Sequence, residues 1–93
     1  MNMPLPKQVA PANEVIYQDL SGECVLLNMA NEKYYGLDDV GAKMWQVLAE
    51  DGNTATMLGK LQAYYAVDAT TLQQDLAELI AKLQHEGLVR VTA

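Results

Sequence analysis

The hydrophobic period of this chain changes abruptly near residue 38, and this change constrains the fold more than any other feature. Before it lie three short runs, residues 14–20, 23–29 and 33–37, separated by turn signals. Their alternation and their β-branched or aromatic content are typical of strands. After it, apolar residues recur at helical spacing as far as Leu83. The order predicts a three-stranded antiparallel sheet followed by three helices, an α+β domain with segregated strands and helices.

The helix boundaries are marked by residues that favour caps. Asp38 suits the N-cap of the first helix, Thr54 that of the second and Asp68 that of the third. Each of these side chains can accept a hydrogen bond from an unpaired backbone N–H group of the first turn. Gly87 fits the position just past the end of the third helix. The third helix is therefore expected over residues 68–86.

The two ends of the chain carry weaker signals. Residues 1–13 contain all three prolines and no periodic pattern, which predicts a flexible tail ahead of one domain over residues 14–93. Residues 88–91 fit either a short final strand or a tail that packs against the domain. The first residues lack the apolar run of a signal peptide, and no stretch approaches transmembrane length. We therefore expect a cytoplasmic protein that does not enter a membrane.

The charge balance disfavours two classes of partner. The chain has 12 acidic and 6 basic side chains, a formal net charge of −6 at pH 7. Nucleic-acid binding depends on lysine and arginine side chains that neutralise phosphates. An anionic membrane surface also attracts basic rather than acidic segments. We expect neither nucleic acid nor membrane as a partner.

No set of catalytic or metal-ligating residues can be recognised. Cys24 is the only cysteine and His85 the only histidine, so the chain can form neither an internal disulfide nor a cysteine metal cluster. Cys24 is expected to be a half-buried structural thiol, and His85 a surface residue near a helix end. The glycines are dispersed and form no phosphate-binding loop. We predict a non-catalytic protein without cofactor or metal.

The third predicted strand, residues 33–37, is the best candidate for a binding surface. In an antiparallel meander it lies at a sheet edge, where backbone N–H and C=O groups lack partners. Side chains alternate along a strand, so Tyr35 and Leu37 are expected to face the helices and Tyr34 to face outward. Gly36 permits the close approach of another backbone. A peptide is therefore expected to add here as a fourth strand.

The third helix is expected to form the other wall of a peptide groove. Its apolar stripe includes Leu76, Leu79 and Leu83, and residues at the margin of that stripe could contact a ligand. Asp75, Leu79 and Lys82 follow one another at i, i+4 and i+7, so they lie on one flank of the helix. The sequence leaves open which flank faces the third strand.

An ordered series of residues resembles the PqqD-like family, named after the pyrroloquinoline quinone biosynthesis protein D. The series begins with Val-Leu-Leu-Asn in the second strand, a polar turn and Lys-Tyr-Tyr-Gly-Leu in the third. Val-Gly-Ala-Lys-Met-Trp, Tyr-Tyr-Ala-Val-Asp, a leucine-rich helix and Glu-Gly-Leu-Val follow in that order. The resemblance covers residues 14–91, nearly the whole chain.

The resemblance implies a fold of the winged helix-turn-helix type and the role of a RiPP recognition element. Such domains serve the biosynthesis of ribosomally made, post-translationally modified peptides. They bind the leader of a precursor peptide as an added strand, between the third strand and the third helix, and present the peptide to a modifying enzyme. Partner enzymes in the family include radical SAM enzymes, ATP-dependent cyclases and leader proteases.

The peptide-binding residues expected in this chain fall in the third strand and the third helix. They are Lys33, Tyr34, Tyr35, Gly36, Leu37, Asp75, Leu76, Leu79, Lys82 and Leu83.

Two other functions are compatible with the same fold class. A winged-helix DNA-binding regulator would need a basic recognition helix, whereas residues 68–86 contain four acidic residues and only one lysine, Lys82. A structural module could instead dimerise by pairing the third strand of two copies, since the same open edge would serve a homodimer.

Overall fold

The chain folds into two small antiparallel sheets and three helices, in a computed structural model that describes residues 5–21 and 23–92. The strands are β1 (Gln8–Pro11), β2 (Val15–Leu20), β3 (Glu23–Asn28), β4 (Lys33–Leu37) and β5 (Val89–Thr92), and the helices are α1 (Asp39–Glu50), α2 (Thr54–Tyr64) and α3 (Ala69–His85). The predicted α+β class is confirmed: the sheet of β2, β3 and β4 precedes the three helices. The β1–β5 sheet is an addition to the predicted order.

The central sheet has the strand order β2–β3–β4, which leaves β4 at one edge. The observed bounds of β4 match the predicted strand, whereas β2 begins one residue later and β3 ends one residue earlier than predicted. Gly22, in the predicted turn between β2 and β3, lies outside the described residues. The pairs Leu26–Tyr35 and Leu27–Tyr34 set the register of β4 against β3. This register determines which β4 side chains reach the core.

The two faces of the central sheet differ in environment. Leu26 has no exposed surface and Tyr35 packs against the same core, so this face lies against the helices. On the other face, apolar side chains cross the three strands in a row from Ile16 through Leu27 to Tyr34. Tyr34 is 68% exposed. Tyr35 thus faces inward and Tyr34 outward, as the alternation along the strand predicts.

The helices cover the inner face of the sheet. Helix α1 packs against α2, β1 and β4, and α3 packs against α2 and β5. Met44, Trp45 and Leu48 of α1 are almost completely buried. The side of α3 that faces the core, which we call the buried stripe, consists of Leu72, Leu76, Ile80 and Leu83.

Two of the three predicted helix caps are confirmed. The backbone N–H of Gly41 donates to the Asp38 carboxylate at 2.7 Å, and that of Thr71 donates to Asp68 at 3.1 Å. The Thr71 hydroxyl also donates to Asp68, and these bonds hold the pKa of the Asp68 carboxyl below its ordinary value. Gly87 has a φ of +72° just past the end of α3, a left-handed conformation that favours glycine.

The predicted cap of α2 is wrong by one residue. Asn53 rather than Thr54 is the N-cap, and its side chain accepts a hydrogen bond from the backbone N–H of Thr56 at 3.0 Å. Thr54 is buried, and its hydroxyl donates to the backbone carbonyl of Pro6 at 2.7 Å. The Thr54 hydroxyl therefore ties the N-terminal segment to the start of α2, a long-range contact that local capping preferences do not indicate.

The prediction of a flexible tail over residues 1–13 is wrong for Gln8–Pro11, which form β1. This strand pairs with β5. Of the two alternatives that the sequence left for residues 88–91, the strand is therefore the observed one, and it begins at Val89. Val9 is 2% exposed and belongs to the core. Four residues whose partner lies at the other end of the chain carry no local pattern, which is why the sequence did not indicate them. Residues 1–4 lie outside the described residues.

The connection between α1 and α2 approaches β1 so closely that a side chain does not fit. The backbone N–H of Val9 donates to the carbonyl of Gly52 at 2.9 Å. A Cβ atom on Gly52 would overlap the carbonyl oxygen of Val9. Gly59 is the natural comparison, because it lies on α2 and a Cβ there would meet no atom within 4 Å.

We expect the substitutions Gly52→Ala and Gly59→Ala to change stability in opposite directions. Gly52→Ala should displace β1 and expose Val9, lowering the free energy of unfolding by about 2 kcal/mol. Gly59→Ala should raise it by about 0.5–1 kcal/mol, because alanine is the better helix former. Urea unfolding followed by circular dichroism measures both values. A Gly52→Ala variant as stable as the parent would contradict the docking of β1.

Candidate functional site

A groove of about 340 Å³ runs between the open edge of β4 and one flank of α3. Strand β4 has no partner on its outer side within the described part of the chain. Helix α1 begins directly after β4, so its first turn closes one end of the groove and Met44 contributes to the floor. The groove is therefore bounded by backbone on one side and by helix side chains on the other.

Six of the ten residues predicted to bind a peptide line this groove. They are Tyr35, Gly36, Leu37, Asp75, Leu79 and Lys82. The flank of α3 that carries Asp75, Leu79 and Lys82 thus faces β4, which the sequence left open. Tyr35, Leu37 and Leu79 are half-buried and pack against the core with part of their surface. Their role in binding stays a prediction.

Lys33 and Tyr34 belong to β4, but their side chains do not line the groove. Lys33 is exposed at the start of the strand, and Tyr34 lies on the outer face of the sheet.

The prediction that Leu76 and Leu83 form part of the groove wall is wrong. Neither residue has any exposed surface, and both belong to the core cluster. Leu79 is only half-buried and is the leucine of α3 that reaches the groove. The leucines fall in one apolar stripe of the sequence. Only the packing of α3 against α2 and β5 shows which part of that stripe is covered.

Five groove residues were not predicted. They are Asp38, Val40, Gly41, Met44 and Glu78. The first three directly follow β4, and the lack of a loop between β4 and α1 was the signal that could have placed them at the groove. Glu78 lies one helical turn from Asp75, so the spacing argument that selected Asp75 also applies to it. Met44 carried no such signal, because a buried position on α1 looks the same whether or not it underlies a groove.

A shallower depression of about 330 Å³ continues along α3 toward the end of the helix. It is lined by Tyr35, Ala81, Lys82, His85 and Glu86. Tyr35 and Lys82 line both spaces, so the groove and the depression form one track along α3. His85 is exposed here, as predicted.

The single cysteine lies away from this track and has structural contacts. Cys24 is half-buried, as predicted, and its Sγ forms a hydrogen bond with the Tyr17 hydroxyl at 3.0 Å. This bond raises the pKa of the Tyr17 hydroxyl above its ordinary value. The side-chain amide of Gln46 donates to the same hydroxyl at 3.3 Å. These contacts join the sheet to α1.

In residues 5–21 and 23–92, no group of three or more histidine, cysteine, aspartate or glutamate side chains is arranged to hold a metal ion. No helix in the same ranges has the length and apolar character needed to cross a bilayer.

The chain belongs to the PqqD family. The family model for coenzyme PQQ synthesis protein D (PqqD) matches residues 23–89, which include β4 and α3 and therefore both walls of the groove. The resemblance found in the sequence is thus confirmed. No curated protein matches the chain significantly.

Solved structures with a similar fold include two that were determined with leader peptides. TbiB1 in complex with the TbiA(beta) leader peptide has a TM-score of 0.82 and 28% identity, over 90% of this chain and 98% of that chain. A lasso peptide synthetase B1 complexed with the leader peptide has a TM-score of 0.79 and 24% identity, over 89% of this chain and 98% of that chain. The winged helix-turn-helix relationship stays a prediction.

The assignment of Leu83 to the core and Leu79 to the groove wall predicts different costs of truncation. Leu83→Ala should lower the free energy of unfolding by about 2–5 kcal/mol, because it leaves a cavity in a closed core. Leu79→Ala should lower it by only about 1 kcal/mol, since part of that side chain already contacts solvent. Urea unfolding followed by Trp45 fluorescence measures both. Equal costs would contradict the orientation of α3 described here.

Proposed function

We propose that this chain is a non-catalytic RiPP recognition element, which binds the leader of a ribosomally made precursor peptide as an added strand along β4. The observation that carries the proposal is the unpaired edge of β4 beside a groove whose far wall is α3. Membership of the PqqD family supports it. So does the similarity to TbiB1, which was solved in complex with a leader peptide.

Backbone hydrogen bonds would supply the part of the affinity that does not depend on sequence. Alternate residues of an edge strand direct their N–H and C=O groups away from the sheet, where an extended peptide can pair with them. The five residues of Lys33–Leu37 can pair with a peptide segment of about the same length. A chain that serves as a recognition element needs this generality, because the backbone of any extended leader has the same groups.

Side chains in the groove would supply selectivity. Every second side chain of an added strand points toward the helix side of the sheet. There it would meet the half-buried surfaces of Tyr35, Leu37 and Leu79. Burial of an apolar leader side chain against these residues would contribute about 1–2 kcal/mol. The leader is thus expected to place an apolar residue between β4 and α3.

The role that follows is to hold the leader while a partner enzyme modifies the rest of the precursor. The partner would be a peptide-modifying enzyme such as a radical SAM enzyme, a cyclase or a leader protease. In this proposal the chain contributes no catalytic residue, cofactor or metal, and it works in the cytoplasm, where precursor peptides are made.

We expect NMR titration of the labelled chain to locate the bound leader. The probe is a synthetic peptide with the leader sequence of the precursor whose gene lies beside the gene for this chain. Saturable shifts should be confined to the amides of Lys33–Leu37 and to the α3 flank of Asp75, Leu79 and Lys82. The amides that pair with the peptide should also become protected from hydrogen exchange. Binding that leaves the amides of Lys33–Leu37 unchanged would contradict strand addition at β4.

A matched pair of substitutions on α3 tests the groove wall. Leu79→Arg places a bulky charged side chain in the groove and should weaken leader binding by about tenfold or more, equivalent to about 1.4 kcal/mol. Gln74→Arg makes the same change in charge at an exposed position of α3 outside the groove lining, and should leave affinity unchanged. Unfolding curves for both variants establish that they are folded. Equal effects of the two substitutions would place the leader elsewhere.

The open β4 edge also favours a second candidate, a homodimer in which β4 pairs with β4 of another copy. Such a dimer would occupy the groove edge and compete with the leader. Sedimentation over a range of concentrations, with and without leader, distinguishes the two. A dimer that dissociates as leader is added would show that both use the same edge.

A further inference from the structure

The charges of the groove are distributed unevenly along its length. Asp75 and Glu78 lie one turn apart on the α3 wall, and Asp38 lies across from them at the end of β4. Lys82 lies one turn beyond Glu78. Among the residues that the structure describes, it is the only basic residue that lines the groove. The half nearest the start of α1 is therefore acidic, and the half nearest the end of α3 is not.

Among residues 5–21 and 23–92, no basic group forms an ion pair with the acidic side chains on α3. In the described ranges, the only ion pair joins Lys60 and Glu50, outside the groove. Glu78 and Lys82 stand at i and i+4, a spacing that often gives a helical ion pair, but their charged groups are not within 4 Å of each other. The carboxylates of Asp75 and Glu78 are thus available to a ligand.

The contribution of Asp38 is weaker than that of the two α3 residues. Its carboxylate accepts a hydrogen bond from the backbone N–H of Gly41 at 2.7 Å and so caps α1. The positive end of the α1 dipole offsets part of its charge. Asp75 and Glu78 lie within α3, away from either helix end, so no helix terminus offsets theirs.

We infer that the leader segment bound in this groove carries a lysine or arginine that faces Asp75 and Glu78, with no basic residue opposite Lys82. This inference rests on the proposed function and adds to it the chemistry and the register of the peptide. Backbone pairing alone does not select the register of the peptide against β4, because every residue of the peptide except proline carries the same N–H and C=O groups. A basic side chain at one position does, since a shift of one residue would turn it away from α3.

The same charges define the direction of the bound peptide. Lys82 lies seven positions after Asp75 on α3, about 10 Å along the helix axis. This distance corresponds to about three residues of an extended peptide. If the apolar residue of the peptide stays between β4 and α3, a peptide bound in the reverse direction would bring its basic residue toward Lys82. Repulsion there and the loss of the Asp75–Glu78 contact both oppose that arrangement.

A library of random 12-residue peptides displayed on phage provides a probe that assumes no leader sequence. Peptides enriched on the immobilised chain should share a lysine or arginine at one position relative to their apolar residue. Synthetic copies should shift the amides of Lys33–Leu37 in NMR spectra, and their dissociation constants can be measured by fluorescence anisotropy. Affinity should fall as salt is added, because exposed charge pairs are screened.

A charge exchange between protein and peptide tests the contact directly. Glu78→Lys should weaken binding of the basic peptide by about fivefold, near the upper limit for an exposed ion pair. Replacing the basic residue of the peptide by glutamate should restore affinity to the Glu78→Lys variant and reduce it for the parent. Asp19→Lys, at an exposed position of β2, gives the protein the same net charge and should have no effect.

The possible results separate this inference from the proposed function. Coupling between residue 78 and the peptide charge, absent for Asp19→Lys, supports the inference. Peptides that shift Lys33–Leu37 without a basic preference, or equal effects of Glu78→Lys and Asp19→Lys, overturn the inference and leave strand addition intact. If no enriched peptide shifts Lys33–Leu37, both the inference and the proposed function are overturned.

Discussion

The burial of one side of α3 is the interaction on which the groove depends. The buried stripe of this helix has almost no exposed surface, and each fully buried aliphatic side chain contributes about 1.5–3 kcal/mol. The stripe therefore sets both the distance of α3 from the sheet and its rotation. Once it is packed, the neighbouring flank has to face β4. Asp75, Leu79 and Lys82 obtain their positions from this packing, so substitutions beneath the groove alter the site without touching a ligand.

The second condition for the groove is that the edge of β4 stays uncovered. The chain leaves Leu37 and enters α1 almost at once, with Asp38 as the cap. There is therefore no connecting segment that could fold back along β4. Exposed edges are prone to unwanted pairing between chains, and a lysine at the start of the strand, Lys33, is a common protection against it. The edge is thus open to a peptide within the groove and is charged where β4 begins.

The N-terminal strand supports this arrangement from a distance. Strand β1 pairs with β5, which follows α3, and it also bonds to the connection between α1 and α2 through Val9 and Gly52. Thr54 adds a bond from the start of α2 to the carbonyl of Pro6. One short segment thus links the ends of all three helices. It lies on a different sheet from β4, so it can stabilise the domain and leave the groove free.

The sequence by itself determined the three strands of the central sheet and the three helices, because local periodicity and capping residues indicate these elements. The alternation of Tyr34 and Tyr35, the bounds of β4 and the caps Asp38 and Asp68 all follow from residues within one or two turns of one another. Tertiary structure decided what depends on partners distant in sequence: the pairing of β1 with β5, the burial of Leu76 and Leu83, and the inclusion of Glu78 in the groove. A leucine stripe predicts that a helix face is apolar, but how much of that face is covered depends on the elements packed against it.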